Sequence, residues 1–399
     1  MRVSRVLIVS DYAGSRGGCE LIAQDFRDGL RKRGVDARWF ASEVDSFGQD
    51  DAPDYRFWGT SGPARCLPEI FNPSARMRLK QALRSFKPDL VHLLMFMSQA
   101  SPAILPLLAD RPVVYTANTY RVICPSGTRL LPNGNCCAER AGRACRANGC
   151  LSLKGWLPRM VQLRLLERWH EHIGRTVAPS ATVARELEAS GWPVHEIIYH
   201  GVEQHERVGD LLDRPCIAYA GRLVPEKGCD VLLRAFARVL TQHQNAQLLI
   251  AGDGPERERL QALAAELVGT KATFLGYIPR YKLQLLLECA WVQVLPSLWP
   301  EPFGLVVVEA MMRGTAVVAT QGGAQEELIE RGVTGLLVPA HDVGALADAL
   351  CELCGNERLA KTMGQAGRQR AQRLFSFDLT LSRYLSLYEQ VATETGRCN

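Results

Sequence analysis

The feature that most constrains the fold is an alternation of short apolar runs with amphipathic segments, which occurs twice along the chain. The runs Val6–Ser10 and Val113–Thr116 in the first half, and Cys216–Ala220 and Gln247–Ala251 in the second, are almost continuously apolar. Parallel strands that are covered on both faces have such sequences, and the amphipathic stretches between them predict helices. The sequence therefore predicts an α/β fold with two doubly wound, Rossmann-like domains.

The domain boundary is expected in a polar stretch at residues 203–214, which separates the two series. A chain of 399 residues is long enough for two ordinary domains. We expect an N-terminal domain over residues 1–205 and a C-terminal domain over residues 206–374, with a helix in 375–399 packing back on the first domain. In this architecture the carboxyl ends of the two sheets face a cleft, which is the default ligand site.

Composition points to a soluble globular protein. The chain is 47% hydrophobic and 22% charged, and it contains no apolar run long enough to predict a transmembrane helix. The chain has 13 cysteines, but its sequence shows no export signal, so a disulfide framework is not expected. Residues 1–200 hold 27 Lys and Arg against 19 Asp and Glu. This basic half suits an anionic acceptor or an anionic membrane surface, although an ordinary solvated surface has the same composition.

Two cations follow the first strand of the second series. Arg222 and Lys227 lie five residues apart in a loop that Pro225 and Gly228 punctuate. At the carboxyl end of a strand both can converge on one diphosphate, Arg as a planar fork and Lys as a point charge. The alternative is a surface ion pair with Glu226. The turn that follows the next strand, at residues 252–255, is expected only to shape the cleft wall.

A pair of glutamates frames the predicted start of a helix at Gly304. Glu301 lies just ahead of that start, and Glu309 lies eight residues further along, on the helix. The free N–H groups of a helix N-terminus favour phosphate, and the two carboxylates can accept bonds from sugar hydroxyls. The alternative for Glu309 is an ion pair in the core, because a carboxylate with apolar neighbours needs a partner.

These motifs resemble those of the retaining glycosyltransferases of family 4, also called glycosyl transferases group 1, which have the two-domain GT-B fold. The resemblance covers nearly the whole chain and is densest between Tyr219 and Pro339. Its motifs occur in the order Gly221-Arg222-x4-Lys227-Gly228, Gly252-Asp253-Gly254-Pro255, Phe274–Pro279, Leu295–Gly304 and Gly332–Pro339.

The resemblance implies a donor site for a nucleotide-diphosphate sugar. Four residues are also implied in catalysis: Arg222, Lys227, Glu301 and Asn118. The implied donor contacts are Arg222 and Lys227 on the diphosphate, Gly17 and Gly18 in a loop that closes over the phosphates, Glu301 on the sugar, Glu309 on the ribose, Gly276, Tyr277 and Ile278 on the base, and Gly221, Phe303, Gly304 and Leu305 along the same pocket.

One position departs from the family pattern. Relatives often carry a His after the strand Val113–Thr116, where this chain has Asn118. Asn cannot act as a base, but it can hydrogen-bond a hydroxyl or the donor. The family is thought to react on one face of the sugar, with the leaving phosphate taking the acceptor proton, so Asn118 is compatible with activity. His92, at the end of the preceding predicted strand, is an alternative contributor, although a strand-end His is more often structural.

A Cys-rich insertion is predicted over residues 124–150. Its five cysteines are Cys124, Cys136, Cys137, Cys145 and Cys150. Four thiolates can hold zinc, but no Cys-x2-Cys pair is present, so we predict no metal site and leave a structural zinc as the alternative. The segment also carries arginines suited to a phosphorylated acceptor.

The resemblance implies a metal-independent hexosyltransferase that needs no cofactor. It would move a sugar from the nucleotide donor to a glycan or lipid-linked acceptor in cell-surface polysaccharide or lipopolysaccharide biosynthesis. It would be cytoplasmic and peripheral on the inner face of the membrane, where a basic helix predicted over Ala75–Phe86 could meet anionic lipid. No nucleic-acid partner is expected. Two alternatives remain: a nucleotide-sugar 2-epimerase, and a non-catalytic scaffold that keeps the nucleotide pocket.

Overall fold

The structure is a computed structural model that describes residues 2–13, 18–44, 52–60, 66–204 and 210–398. The chain divides into two compact units, of which the first comprises Met1–Tyr199 and Thr380–Asn399 and the second His200–Leu379. In the described ranges, no helix is both long and apolar enough to cross a lipid bilayer.

The unit boundaries differ from the predicted ones at 205/206 and 374/375, and backbone pairing explains why. Val202 forms a parallel bridge with Ser376, and the Val202 N–H donates to the Phe375 carbonyl at 3.0 Å. Residues 200–204 and 375–379 therefore belong together in the second unit. The chain enters the first unit again only from Thr380, inside its last helix.

The first unit contains a parallel sheet of seven strands in the order β3-β2-β1-β4-β5-β6-β7. The strands are β1 (Arg5–Val9), β2 (Asp36–Ser42), β3 (Tyr55–Phe57), β4 (Leu90–Leu93), β5 (Val113–Thr116), β6 (Arg175–Ala178) and β7 (Glu196–Ile197). Its helices are α1 (Gly18–Lys32), α2 (Cys66–Ile70), α3 (Pro73–Phe86), α4 (Ala144–Ala147), α5 (Leu153–Trp169) and α6 (Ala181–Ala189).

The second unit contains a parallel sheet of six strands in the order β10-β9-β8-β11-β12-β13. The strands are β8 (Cys216–Ala220), β9 (Gln247–Ala251), β10 (Ala272–Gly276), β11 (Val292–Leu295), β12 (Ala316–Thr320) and β13 (Leu336–Val338). The helices are α7 (Cys229–Gln242), α8 (Arg257–Leu267), α9 (Arg280–Leu286), α10 (Leu305–Arg313), α11 (Gln325–Leu328), α12 (Val343–Cys354) and α13 (Glu357–Leu374), and α14 (Phe377–Cys398) runs from this unit into the first.

The local sequence accounts for several helix starts. The Asn72 side chain accepts the Ala75 N–H ahead of α3, and Ser180 accepts the Val183 N–H ahead of α6. Such caps satisfy N–H groups that a helix leaves without a partner at its first turn.

The α7 helix covers the sheet with an apolar stripe that includes Leu232, which is fully buried.

The sequence pattern missed strands β2 and β3 and five helices, α2, α4, α5, α11 and α13. In β2 the charged residues Asp36 and Arg38 interrupt the apolar run, although the strand pairs with β1 over five residues. The Arg38 guanidinium lies 4.4 Å from the centre of the Phe86 ring, so its charge stays at the surface while its stem covers the core. Helix α5 contains Pro158, which argues against a helix when only the sequence is considered.

Candidate active site

The candidate site lies at the topological switch point of the second sheet. Strand β8 has β9 on one side and β11 on the other, so the chain connections leave β8 and β11 in opposite directions. The loops that follow these two strands, residues 221–228 and 296–304, therefore open a crevice at their carboxyl ends. Both predicted cations and Glu301 belong to these two loops.

The two loops meet in an ion pair. The Lys227 ammonium lies 2.5 Å from Glu301 Oε1, and the Ser297 hydroxyl donates to the same oxygen at 2.5 Å. The side chain of Glu301 is 6% exposed and that of Lys227 is 17% exposed. The ammonium also lies 5.4 Å from the centre of the Trp299 ring. A lysine has three N–H donors, so one bond to Glu301 leaves this cation able to contact a further anion.

The backbone holds this junction in place. Gly228 has φ +64°, and a Cβ at this position would come within 2.0 Å of the Pro296 carbonyl oxygen. The Leu298 N–H donates to the Glu226 carbonyl at 2.8 Å. Glycine at 228 is therefore required for the two loops to approach each other. Lys227 pairs with Glu301 across the loops and not with its neighbour Glu226, so the predicted alternative of a Lys227–Glu226 surface pair is wrong.

Arg222 belongs to the same loop as Lys227 and is exposed. Its backbone is fixed because the Tyr219 hydroxyl donates to its carbonyl at 3.0 Å. Burial raises the pKa of Tyr219 well above its ordinary value, which keeps the phenol protonated as that donor. Gly252 is also constrained, since a Cβ at this position would lie 1.8 Å from the Gly221 carbonyl oxygen. The turn at 252–255 thus packs on the cation loop, and its glycine permits that approach.

Helix α10 begins beside Glu301. Gly304 is its N-cap residue with φ +93°, and no side chain in the described part of the chain caps it. Its first N–H groups point out of the helix end, where they favour an anion. Phe303 is buried and packs edge-on against His200, with ring centres 5.2 Å apart. Phe303 is thus a packing residue that fixes the helix start, and Leu305 is the first residue of the helix.

Glu309 is held by a cation that the sequence did not indicate. Arg280 Nε donates to Glu309 Oε1 at 2.8 Å, and the Glu309 side chain is 11% exposed. The carboxylate therefore has the partner that its apolar surroundings require. Arg280 follows directly on the turn Gly276–Pro279, which could have marked it as a candidate. In that turn the Gly276 carbonyl accepts from the Gly252 N–H at 2.8 Å, Tyr277 is 46% exposed and Ile278 is half-buried.

The first unit holds the remaining predicted residues. Asn118 is buried, and its Nδ2 donates to the Leu94 carbonyl at 3.3 Å. Gly17 lies outside the described residues, and Gly18 is the first residue of α1. His92 is fully buried and hydrogen-bonds Thr116 Oγ1 at 2.8 Å through one ring nitrogen and the Tyr388 hydroxyl at 2.7 Å through the other. His92 is therefore a core residue of this unit.

Sequence reasoning missed Ser297 and Gly323 as supports of Glu301. A Cβ on Gly323 would come within 2.5 Å of the Glu301 backbone nitrogen, and the Ala324 N–H donates to the Glu301 carbonyl at 3.0 Å. Ser297 lies within the Pro-Ser-Leu-Trp segment ahead of Glu301, and a hydroxyl four residues from a buried carboxylate was the available signal. In the described part of the chain, no three His, Cys, Asp or Glu side chains are already arranged as ligands of one metal ion.

Two family models match this chain. Residues 203–370 match Glycosyl transferases group 1, and residues 16–206 match Glycosyltransferase Family 4. A phosphatidyl-myo-inositol mannosyltransferase of Mycobacterium leprae is 36% identical over 245 residues, which are 58% of this chain and 63% of that protein. A D-inositol 3-phosphate glycosyltransferase of Kribbella flavida is 37% identical over 198 residues, 47% of this chain and 46% of that protein. The chain thus spans between about half and two thirds of these relatives.

Two solved structures share this fold along nearly the whole chain. Sucrose-phosphate synthase from Thermosynechococcus elongatus superposes with a TM-score of 0.76 at 22% identity, covering 98% of this chain and 100% of that one. HepE of Anabaena in complex with UDP and glucose superposes with a TM-score of 0.72 at 19% identity, covering 97% of this chain and 100% of that one. At these identities the likeness establishes the fold alone.

Proposed function

Since the chain belongs to glycosyltransferase family 4 and has the GT-B fold, we propose that it transfers a hexosyl residue from a nucleotide-diphosphate donor to a glycan or lipid-linked acceptor, with retention of configuration and without a metal ion. The observation that carries the proposal is the Lys227–Glu301 junction at the switch point of the second sheet, beside the open N-terminus of α10. It offers positive charge for a diphosphate next to an acceptor for sugar hydroxyls.

In the proposed reaction, the bond between the sugar C1 and the donor phosphate oxygen breaks while a bond forms from C1 to the acceptor oxygen. The acceptor hydroxyl proton passes to the leaving phosphate, which departs as a nucleoside diphosphate. Negative charge grows on that phosphate, and Lys227, Arg222 and the helix terminus at Gly304 would stabilise it. Lys227 and the helix terminus are held in place before the reaction, so these groups require little reorganisation.

Each remaining residue has a place in this proposal. Glu301 is held by Lys227 and Ser297, so its second carboxylate oxygen would accept from hydroxyls of the transferred sugar. Glu309 would accept from the ribose while Arg280 holds its carboxylate in place. The turn with Tyr277 would hold the base, Gly17 and Gly18 would close over the phosphates, and Asn118 would hydrogen-bond the donor or acceptor.

The descriptions of related proteins support both the proposed nucleotide-sugar donor and the proposed acceptor. The mannosyltransferase and the glycosyltransferase named above act on phosphatidyl-myo-inositol and D-inositol 3-phosphate by their descriptions, and HepE is also known in complex with UDP-glucose. A phosphorylated or lipid-linked acceptor, as in cell-surface polysaccharide or lipopolysaccharide synthesis, therefore suits this chain. The base, the sugar and the linkage are left to experiment.

We also propose that the enzyme works in the cytoplasm, peripheral to an anionic membrane. Helix α3 presents Lys80 and Arg84 around a shallow depression that Met77 also lines, and Met77 is 63% exposed. Exposed apolar and basic groups on one helix suit an interface with anionic lipid. Arg76 of the same helix donates to the Ala103 carbonyl.

The test is donor binding followed by product analysis. UDP-, GDP-, ADP- and TDP-sugars are screened by thermal shift against the wild type, Arg222→Ala and the control Arg331→Ala. Arg331 is an exposed arginine of the same unit that precedes β13, an edge strand of the sheet. We expect one donor to stabilise the wild type and the control but not Arg222→Ala.

The bound donor is then incubated with candidate acceptors, and the anomeric configuration of the product is read by NMR. Transfer with retention that requires no added Mg²⁺ or Mn²⁺ supports the proposal. Isomerisation of the donor without an acceptor would instead identify an epimerase, and binding without transfer or hydrolysis would identify a scaffold.

A further inference from the structure

The Cys-rich segment of the first unit contains a cavity that the donor site does not use. Four cysteines line it: Cys124, Cys137, Cys145 and Cys150. The space inside is about 10 Å³, which is room for about one water-sized sphere. The thiols come from four separate points of an irregular segment, so the fold, and not a short sequence motif, brings them to one place.

Cys136 is the one cysteine of residues 124–150 that does not line this cavity. It forms an antiparallel bridge with Leu130, and its side chain is exposed. Adjacent residues of an extended strand point to opposite faces, so when Cys136 faces solvent, Cys137 faces the cavity. The segment therefore separates one outward thiol from four inward ones.

The surroundings of the four thiols lack an apolar core. No residue from 131 to 160 is buried. Its ordered features include the bridge at Cys136, the single turn of α4, backbone turn bonds, a hydrogen bond from Trp156 Nε1 to the Gly142 carbonyl at 2.8 Å and one from Arg129 Nη1 to the Glu139 carbonyl at 2.9 Å. Segments that bury too little apolar surface are usually held by a disulfide or a metal ion.

We propose that Cys124, Cys137, Cys145 and Cys150 bind one structural zinc ion. Zinc prefers four thiolates in tetrahedral arrangement, and a space for one small sphere suits one ion. Binding replaces four thiol protons, which are released to solvent, and leaves a site with a net charge of about −2. The exposed Arg140, Arg143 and Arg146 on the same segment supply compensating charge. The thiols must rotate towards the centre of the cavity, since they are not yet arranged as ligands.

The first measurement is the metal content of the full chain, purified under reducing conditions without chelators. We expect one zinc ion per chain. Reconstitution of the metal-free protein with cobalt should give the intense visible bands of a tetrahedral thiolate site. Cys145→Ser and Cys137→Ser should lose nearly all of the metal and weaken those bands, whereas the matched control Cys136→Ser should keep both.

A second readout is limited proteolysis. Removal of zinc should expose residues 131–150 to cleavage, and added zinc should restore protection. Donor binding by the second unit serves as the folding control and keeps this test separate from the proposed function. Wild type without stoichiometric zinc after reconstitution, an iron–sulfur spectrum, two disulfides among the four cysteines, or equal loss of metal in Cys136→Ser would each overturn the proposal. Because metal content and the cobalt spectrum are measured on the wild type, a variant that fails to fold does not remove the test.

Discussion

Replacement of Lys227 by alanine should both destabilise the second unit and abolish donor binding, and a second substitution separates the two effects. Lys227→Ala leaves the carboxylate of Glu301, which is 6% exposed, without its cation. Breaking a buried ion pair by removing one partner costs about 3–5 kcal/mol. The hydroxyl of Ser297 still donates to Glu301, so we place the loss at the lower end, about 3 kcal/mol. For a unit of this size, that corresponds to a fall of about 6–12 °C in Tm.

Glu301→Gln removes the orphaned charge while it keeps the shape of the side chain. Alone it should cost about 1 kcal/mol, because the partly exposed Lys227 can be hydrated. The double variant should then lose only about 1–2 kcal/mol, well below the sum of the single losses, since no uncompensated charge is left in the site. Donor binding should not return, because the cation that would contact the diphosphate is still absent.

The assay is urea unfolding followed by tryptophan fluorescence, in parallel with a thermal shift by the donor found in the screen. Arg222→Ala is the matched control, because this arginine is exposed. Its stability should stay within about 0.5 kcal/mol of the wild type while donor affinity falls about 10- to 100-fold. The reasoning is refuted when the double variant loses the full sum of the single losses, with a coupling energy below about 0.5 kcal/mol.

Three further outcomes are expected. Gly228→Ala should lower the free energy of unfolding in urea by at least about 3 kcal/mol, because its Cβ would overlap a backbone carbonyl. The control Gly332→Ala, with φ +78° and open space around it, should lower it by about 1 kcal/mol, and equal losses would contradict this. Burial lowers the pKa of His200 to about 4. Because the unfolded chain then binds this proton at a higher pH than the folded one, the free energy of unfolding should fall by up to about 3 kcal/mol as pH drops from 6.5 to 4. A pH profile of stability that His200→Asn leaves unchanged would refute this assignment. Co-sedimentation with anionic vesicles should fall in Lys80→Glu/Arg84→Glu and stay unchanged with neutral vesicles; equal binding of wild type and variant would exclude α3 as the contact.

Much of the second unit could be predicted from its sequence because its strands are continuous apolar runs that end in glycine or proline turns. Strands β8 and β9 have the predicted bounds. Strand β2 could not be found in this way, since Arg38 carries its charge to the surface across the Phe86 ring. Periodicity detects which residues are apolar, whereas it misses a polar residue whose stem is buried.

The candidate site was predictable as a set of residues but not as a set of pairs. Position at the carboxyl end of a strand marked Lys227 and Glu301 as candidates. Their ion pair depends on β8 and β11 being neighbours in the sheet, and strand order is not written in local sequence. The pair Arg280–Glu309 joins α9 to α10 for the same reason. Long-range contacts of this kind follow from the topology.

The two sheets have the same strand order around their switch points, but different groups occupy the loops there. In the first sheet, Asp11 follows β1 and accepts the backbone N–H groups of Ser98, Gln99 and Ala100 in the loop after β4, at 2.7–2.9 Å. The chain's own carboxylate thus occupies the donors that this loop would otherwise offer to an anion. In the second sheet, the acid lies in the loop after β11 and is matched by Lys227, while the N-terminus of α10 has no side-chain cap among the described residues. Topology creates a crevice in both units, but anion binding requires donors that the chain has not already satisfied, which is why the diphosphate is assigned to the second.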